Sequence, residues 1–124
     1  MAKKILIIGE DPALIDFDAP YAPQDMSAEK VMDGLNGSIA RLRAAGHSAE
    51  LLLTRDEDSI EQQVSDALAG GFDVIVIGAG LRTLAPMAAQ FERIMNVLHE
   101  QAPGAKLAFN SNPADSDAAA LRWL

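Results

Sequence analysis

The sequence predicts one α/β domain over residues 1–124, in which four parallel strands form a central sheet between two layers of helices. The first observation is that four short apolar runs alternate with longer stretches whose apolar residues have helical spacing. The second is that the first and third runs are continuous and β-branched, which is typical of strands covered on both faces of a parallel sheet. Repeated strand-helix units of this kind build a three-layer sandwich. We expect the strand order 2-1-3-4, with the first and last helices on one face and the middle two on the other.

Each strand is predicted from an apolar run of about six residues, which is a usual strand length. The runs occupy residues 4–9, 49–54, 72–78 and 105–110. Each is followed by glycine or polar residues, so each strand is expected to end where a loop begins.

The first helix is predicted over residues 28–45. Gly46 follows it as a C-terminal stop. Gly34 and Gly37 lie inside the helix, where glycine is costly, and this indicates either close packing of the helix on the sheet or close approach by a partner chain. The apolar residues that define its buried face are Val31, Leu35, Ile39 and Leu42.

The second helix is predicted over residues 59–69, opened by Asp58 with Glu61 three residues later in a capping-box arrangement. The third is predicted over residues 84–102, the longest amphipathic stretch of the chain, with Thr83 as its cap.

The last helix is predicted to be short and to begin at Asn112-Pro113, a cap followed by a first-turn proline. The irregular connection over residues 10–26 is long for this class of fold, in which such loops usually have about two to six residues. We expect that it contains a helical turn, or that it forms a lid.

Composition excludes several classes of function. The net charge is −8 and the ten basic residues are scattered, so a nucleic-acid partner is not expected. Absence of cysteine excludes disulfides, thiolate metal sites and cysteine nucleophiles, and fits a reducing, cytoplasmic compartment. The apolar run at residues 5–8 is too short for a membrane span or a signal-peptide core.

Ligands bind open parallel sheets beyond the carboxyl ends of the strands, at the point where the strand order reverses. In the order 2-1-3-4 this point is the crevice between the first and third strands. We expect its walls to come from residues 9–12 and 78–83, with residues 110–112 at one flank. The candidate ligand-binding residues are Glu10, Asp11, Gly78, Gly80, Arg82, Thr83, Asn110 and Asn112.

We expect this crevice to carry both negative and positive charge. Glu10 and Asp11 bring negative charge, whereas Arg82 and the N-terminus of the third helix bring positive potential that could hold an anion. A small polar, zwitterionic or anionic ligand would suit them. Two adjacent carboxylates could also hold magnesium, although adjacent acids in a loop equally fit solvated charge.

The positions of the two histidines argue against histidine catalysis. His47 follows the first helix and His99 lies near the end of the third, so both are expected at the edge of the sheet opposite the crevice. His99 fits a residue favoured by the dipole at a helix C-terminus.

The segment Gly78-Ala79-Gly80 follows a strand, as a dinucleotide fingerprint does. Thr83 stands where the third glycine would be, and the next strand ends in Asn110 instead of an acidic residue. A glycine turn between strand and helix is the better interpretation, and NAD binding is not expected.

The segment Ile5-Leu6-Ile7-Ile8-Gly9-Glu10-Asp11-Pro12 resembles the opening of a bacterial response-regulator receiver domain, and Phe72-Asp73-Val74-Ile75-Val76-Ile77 resembles its third strand. The resemblance implies a flavodoxin-like, Rossmann-like fold. It argues against phosphotransfer, because Gly78 stands where receivers carry the phospho-accepting aspartate. Only Ser111 could match their hydroxyl residue, and the lysine of their fifth strand has no counterpart.

Flavodoxins share this layout, but their hydroxyl- and glycine-rich phosphate loop is absent. Because Glu10 and Asp11 would repel a flavin phosphate, FMN binding is not expected, and we predict no resident cofactor.

Three hypotheses of function follow. The first is a protein that binds a small polar or anionic ligand, or a protein partner, at the crevice. The second is a small enzyme that uses Asp11, Arg82 and Asn110, with or without magnesium. The third is a homodimeric interaction protein, joined through its first helix or through a last helix that carries Trp123.

Overall fold

The fold is given by a computed structural model that describes residues 2–124. Four strands form one parallel sheet in the order β2-β1-β3-β4, which confirms the predicted order. The strands are β1 (Lys4–Glu10), β2 (Ser48–Thr54), β3 (Val74–Ile77) and β4 (Lys106–Phe109). The register places Ile5 opposite Ala49 on one side and opposite Val74 on the other. The model is consistent with a three-layer flavodoxin-like sandwich.

Five α-helices connect and cover the strands. They are α1 (Ala28–Ala44), α2 (Ile60–Ala67), α3 (Ala79–Thr83), α4 (Ala88–Gln101) and α5 (Ser116–Leu121). Short 3-10 turns lie at Pro12–Leu14, Glu57–Ser59, Leu68–Gly70, Ala85–Met87 and Pro113–Asp115.

The core has two halves, one on each face of the sheet. On one face, α1 and α5 pack against alternate residues of β1 and β3, among them Ile5, Ile7, Val74 and Val76. On the other face, α2, α3 and α4 pack against Leu6, Ile8, Ile75 and Ile77. This division confirms that the first and last helices share one face. The strands of the middle of the sheet are buried on both faces, as their uninterrupted apolar sequence predicted.

The predicted third helix is wrong in its N-terminal boundary. A separate short helix, α3, begins directly after β3, and α4 begins only at Ala88. Pro86 lies in the 3-10 turn Ala85–Met87 that leads into α4, where a proline without a backbone N–H is tolerated. Leu84 is extended, with φ −82° and ψ 116°, and so separates the two helices. Thr83 is therefore the last residue of α3 and does not cap α4.

The predicted cap of the second helix is also wrong. The carboxylate of Asp56, not that of Asp58, accepts a backbone N–H, donated by Asp58 at 3.1 Å. Glu61 makes an ion pair with Arg93 instead of completing a capping box. The Arg93 guanidinium lowers the pKa of Glu61 to about 2. This pair joins α2 to α4 on the outside of the domain.

The other predicted helix boundaries, the end of the first helix and the start of the last, are confirmed. Gly46 follows α1 with φ +94°, a conformation that favours glycine. The side chain of Asn112 accepts the N–H of Ala114 at 2.8 Å, and the carboxylate of Asp115 accepts the N–H of Asn112 at 3.3 Å. This reciprocal pair holds the turn that leads into α5.

Gly34 shows close packing within the chain, although against the segment before α5 and not against the sheet. A Cβ atom at this position would lie 2.9 Å from both the backbone nitrogen of Ala114 and the Cβ of Pro113. The absence of a side chain at Gly34 therefore lets residues 113–114 lie directly on α1.

Candidate functional site

A cavity of about 200 Å³ lies beyond the carboxyl ends of β1 and β3, where the strand order reverses. This is the place that open parallel sheets generally use for ligands. The cavity is bounded by the ends of three strands, by α1 and α3, and by the connection between β1 and α1. Its lining residues are Ile8, Gly9, Glu10, Ile15, Phe17, Pro23, Met26, Val31, Leu35, Gly78, Ala79, Gly80, Thr83, Leu84, Asn110, Ser111, Asn112 and Pro113.

The connection between β1 and α1 covers the cavity with apolar side chains. It contains a helical turn at Pro12–Leu14, as predicted. Beyond this turn Ile15, Phe17 and Met26 line the cavity, together with Pro23. The sequence analysis did not select these residues. Their signal is the presence of several large apolar side chains in a long connection that would otherwise face water.

Glu10 is the single formally charged residue of the cavity lining. It is the last residue of β1 and is only 9% exposed. One carboxylate oxygen, Oε2, accepts a hydrogen bond from the hydroxyl of Thr54 at 3.3 Å. Burial raises the pKa of Glu10 above its ordinary value of 4.5, an effect that the hydrogen bond from Thr54 opposes and the charges of Asp11 and Glu57 reinforce.

Asp11 does not line the cavity, although it follows Glu10 directly. Its carboxylate accepts the backbone N–H of Ala13 at 3.0 Å and makes an ion pair with Arg55 at 2.8 Å. The N–H of Ala13 and then the Arg55 guanidinium lower the pKa of Asp11 below 3.8. The two adjacent carboxylates thus have different partners, and Asp11 holds the turn that starts the covering loop.

Arg82 is also outside the cavity. Its guanidinium lies over the ring of Phe109, 4.8 Å from the ring centroid, and donates to the backbone carbonyl of Asn110. Its Nε is buried and has no hydrogen-bond partner among residues 2–124. The positive charge expected in the crevice therefore lies in an adjoining surface depression that Arg122 also lines. This depression shares four lining residues with the cavity, namely Ala79, Thr83, Asn110 and Ser111.

Asn110 connects three elements of the site wall. Its side-chain oxygen accepts the N–H of Ala79, the first residue of α3, at 2.7 Å. Its amide group donates to the hydroxyl of Ser116, the first residue of α5, at 2.9 Å. Asn110 is 4% exposed. Both ends of the amide are thus occupied, which identifies Asn110 as a residue that positions the wall.

Gly78 allows the chain to turn from β3 into α3 while its backbone lies close to β1. Its N–H donates to the carbonyl of Ile8 at 2.8 Å, and a Cβ here would lie 3.2 Å from that oxygen. Thr83 lines the cavity, but its hydroxyl donates to the carbonyl of Ala79 at 2.7 Å. The backbone N–H of Ala79, at the start of α3, already has the side chain of Asn110 as its partner. The anion site expected at the N-terminus of the predicted helix over residues 84–102 stays a prediction.

The structure therefore brings six of the eight candidate residues to one cavity and leaves two outside it. Asp11 and Arg82 are the two outside, and with Asn110 they are the residues assigned to the enzyme hypothesis. The six that line the cavity are Glu10, Gly78, Gly80, Thr83, Asn110 and Asn112.

Both histidines lie away from this site, as predicted. The Nδ1 atom of His47 accepts the backbone N–H of Lys3 at 3.1 Å, just before the start of β1. His99 lies in the last turn of α4 and borders a depression formed with Ala102 and Leu107. Neither residue contacts Asp11 or Arg82.

No model of a known protein family matches the sequence, and no curated protein matches it either. The resemblance to receiver domains thus has support only at the level of the fold. In the part of the chain that the structure describes, no helix is long and apolar enough to cross a membrane.

Proposed function

We propose that this protein binds a small molecule with a compact apolar body in the cavity between β1 and β3. The observation that supports this best is the lining itself, because a mostly apolar cleft beyond the carboxyl ends of parallel strands is the usual form of a ligand site. The volume is suitable, since an apolar cavity of about 150 Å³ in another protein binds benzene. Apolar burial drives such binding, by roughly 25 cal/mol per Å² of apolar surface removed from water.

This proposal modifies the ligand class expected from the sequence. A polar or anionic ligand was expected because Arg82 was placed in the crevice, yet the guanidinium is committed to Phe109 and Asn110. Glu10 faces the cavity and would repel an anion. A mainly apolar ligand that turns a polar group toward Glu10 fits these residues better.

The test is an NMR titration of the ¹⁵N-labelled protein with benzyl alcohol, a neutral molecule of suitable size. Saturable shifts are expected at the amides of residues that line the cavity. The variant Gly80→Leu should abolish them, because Gly80 borders the cavity and a Cβ there has only Leu84 within 4 Å. Gly104→Leu is the matched control, since a Cβ at Gly104 meets nothing within 4 Å and lies outside the cavity. Identical titrations of the two variants would refute the proposal.

A homodimer is the second candidate. Large exposed apolar side chains gather around the end of the chain, and β4 is an edge strand with no neighbour on its outer side. These exposed side chains are Phe109, Leu121, Trp123 and Leu124. Arg122 ties this segment to β4 by donating to the carbonyl of Phe109 at 2.9 Å. A second copy could cover this surface, with Trp123 as the central contact.

Sedimentation equilibrium distinguishes this candidate from a monomer. We expect the dimer to dissociate in the variant Trp123→Ala, while the exposed variant Leu14→Ala, at a residue distant in sequence that is 56% exposed, leaves it intact. A monomeric parent protein at high concentration would exclude this dimer.

A further inference from the structure

One residue that lines the cavity, Glu10, has an incompletely paired carboxylate. Oε2 of Glu10 has the hydroxyl of Thr54 at 3.3 Å, and that hydroxyl is equally close to the carbonyl of Gly9. A hydroxyl has one hydrogen, so it cannot donate fully to both. Residues 2–124 donate no hydrogen bond to the other oxygen, Oε1, which is not among the fully buried atoms without a partner and so keeps some access to solvent. The protein thus supplies this carboxylate, on a residue that is only 9% exposed, with one shared donor.

The charges around Glu10 are negative. Asp11 and Glu57 are the charged groups that act on it, and both oppose its ionisation. The nearest basic side chain on this side, Arg55, is paired with Asp11. Negative potential in the cavity therefore has no internal cation to balance it.

The other walls of the cavity bring no charge to Glu10. Helix α1 contributes Val31 and Leu35, α3 contributes Gly80 and Thr83, and the covering loop contributes apolar residues. Lys30 lies in the first turn of α1, but its ammonium group donates to the carbonyl of Asp25 at 2.7 Å, outside the lining. Among the described residues, none that lines the cavity thus supplies a cation to Glu10.

From this arrangement we infer that the ligand is a small organic amine, whose ammonium group donates to Glu10 while its apolar body fills the rest of the cavity. This inference rests on the proposed function and specifies its ligand class. The free oxygen of Glu10 can accept further hydrogen bonds, and an ammonium group supplies both the donors and the opposite charge. A metal ion fits less well, because residues 2–124 contain no group of three or more side chains suited to hold one and the remaining walls offer it apolar contacts.

The pairing requires the ionised form of Glu10 and so depends on pH. Burial raises the pKa of Glu10 in the free protein, whereas an ammonium ion beside it would lower that pKa. Amine binding therefore releases a proton, and affinity rises as the pH increases above 4.5 toward neutrality. The pH range over which affinity changes is set by three neighbours of Glu10, namely Thr54, Asp11 and Glu57. No histidine lies close to the cavity.

The experiment compares three probes of similar size and different charge: benzylamine, benzyl alcohol and benzoate. Each is titrated by NMR near neutral pH into the parent protein, into Glu10→Gln and into Glu57→Gln. The last variant is the control, because it removes a neighbouring carboxylate that does not line the cavity.

We expect benzylamine to bind the parent protein about tenfold more tightly than benzyl alcohol, equivalent to about 1.4 kcal/mol, and benzoate not to bind. Glu10→Gln should abolish this preference but still bind benzyl alcohol, which also shows that the cavity is intact. Glu57→Gln should keep the preference, and benzylamine should bind the parent protein more weakly at acidic pH.

Two results would overturn the inference and leave the proposed function standing. They are equal binding of benzylamine and benzyl alcohol by the parent protein, and a preference that survives Glu10→Gln. If none of the three probes binds, the inference and the proposed function fail together.

Discussion

Replacing Gly34 by alanine tests the contact that holds the rim of the cavity. The added Cβ would lie 2.9 Å from the nitrogen of Ala114, 2.9 Å from the Cβ of Pro113 and 3.1 Å from its carbonyl carbon. These atoms cannot rotate away. Ser38 donates to the carbonyl of Pro113 at 3.1 Å and Arg41 donates to that of Ala114 at 2.7 Å, so the segment is tied to α1 on both sides of the contact.

Two effects of opposite sign determine the change in stability. Alanine in a helix interior is favoured over glycine by about 0.5–1 kcal/mol. Forcing an extra methyl group into a packed contact costs about 1–3 kcal/mol. The contact involves backbone atoms held in place, so the steric effect should be the larger one. We expect Gly34→Ala to lower the free energy of unfolding by about 1–2 kcal/mol.

Gly37 is the matched control, because it lies in the same helix one turn later. A Cβ there would meet only the Nη1 atom of Arg41 at 3.3 Å, the end of a flexible side chain. Gly37→Ala should therefore raise the free energy of unfolding by about 0.5–1 kcal/mol. Urea denaturation of both variants measures the two changes, provided that the slope with denaturant stays constant.

The reasoning is refuted if Gly34→Ala is as stable as the parent protein or more stable. Because Pro113 also lines the cavity, the same variant should weaken benzyl alcohol binding. Gly37→Ala should leave that binding unchanged.

Two further predictions concern the polar residues of the cavity. Because burial raises the pKa of Glu10 above 4.5, this side chain keeps its proton to higher pH in the folded protein than in the unfolded one. The contribution of Glu10 to stability should therefore fall as the pH rises above 4.5, so that Glu10→Gln gains stability relative to the parent protein toward neutral pH. Thermal unfolding across pH checks this, and a parent protein whose stability rises toward neutrality relative to the variant would contradict it. Asn110→Ala removes the acceptor for the N–H of Ala79 and the donor to Ser116, and should cost about 1–3 kcal/mol for each buried group left unpaired. A cost below about 0.5 kcal/mol in urea denaturation, the range of ordinary surface substitutions, would show that water replaces this amide.

The strands and their order were predictable because they follow from short-range patterns. A continuous β-branched run such as Val74–Ile77 needs burial on both faces, and alternation with helices leaves few topologies. The start of α4 was not predicted, because the apolar spacing continues through residues 84–87. The break lies at the extended residue Leu84, residues 85–87 form a 3-10 turn, and a five-residue helix has too little pattern to be recognised.

The position of the site was predictable, whereas the partners of its charged residues were not. Sequence order places Glu10 and Gly78 at one edge of the sheet. It does not reveal that Arg82 lies over Phe109 or that Asp11 pairs with Arg55, since these contacts depend on the side-chain directions of separate elements. The apolar cover was missed for a related reason. The long connection was expected to contain a helical turn or to form a lid. Its sequence does not show which of its apolar residues are buried, since Ile15 and Phe17 line the cavity whereas Leu14 is exposed.

Intermolecular NOEs between benzyl alcohol and the methyl groups of the protein test the central claim most directly, because they report contact instead of a change in environment. The account predicts NOEs from the aromatic protons to the methyl groups of Ile8, Val31 and Leu35, which line the cavity from β1 and from α1. It predicts that these NOEs disappear in Gly80→Leu. NOEs confined to Met95 and Leu107, which border the depression beside His99, would place the ligand elsewhere and contradict the account.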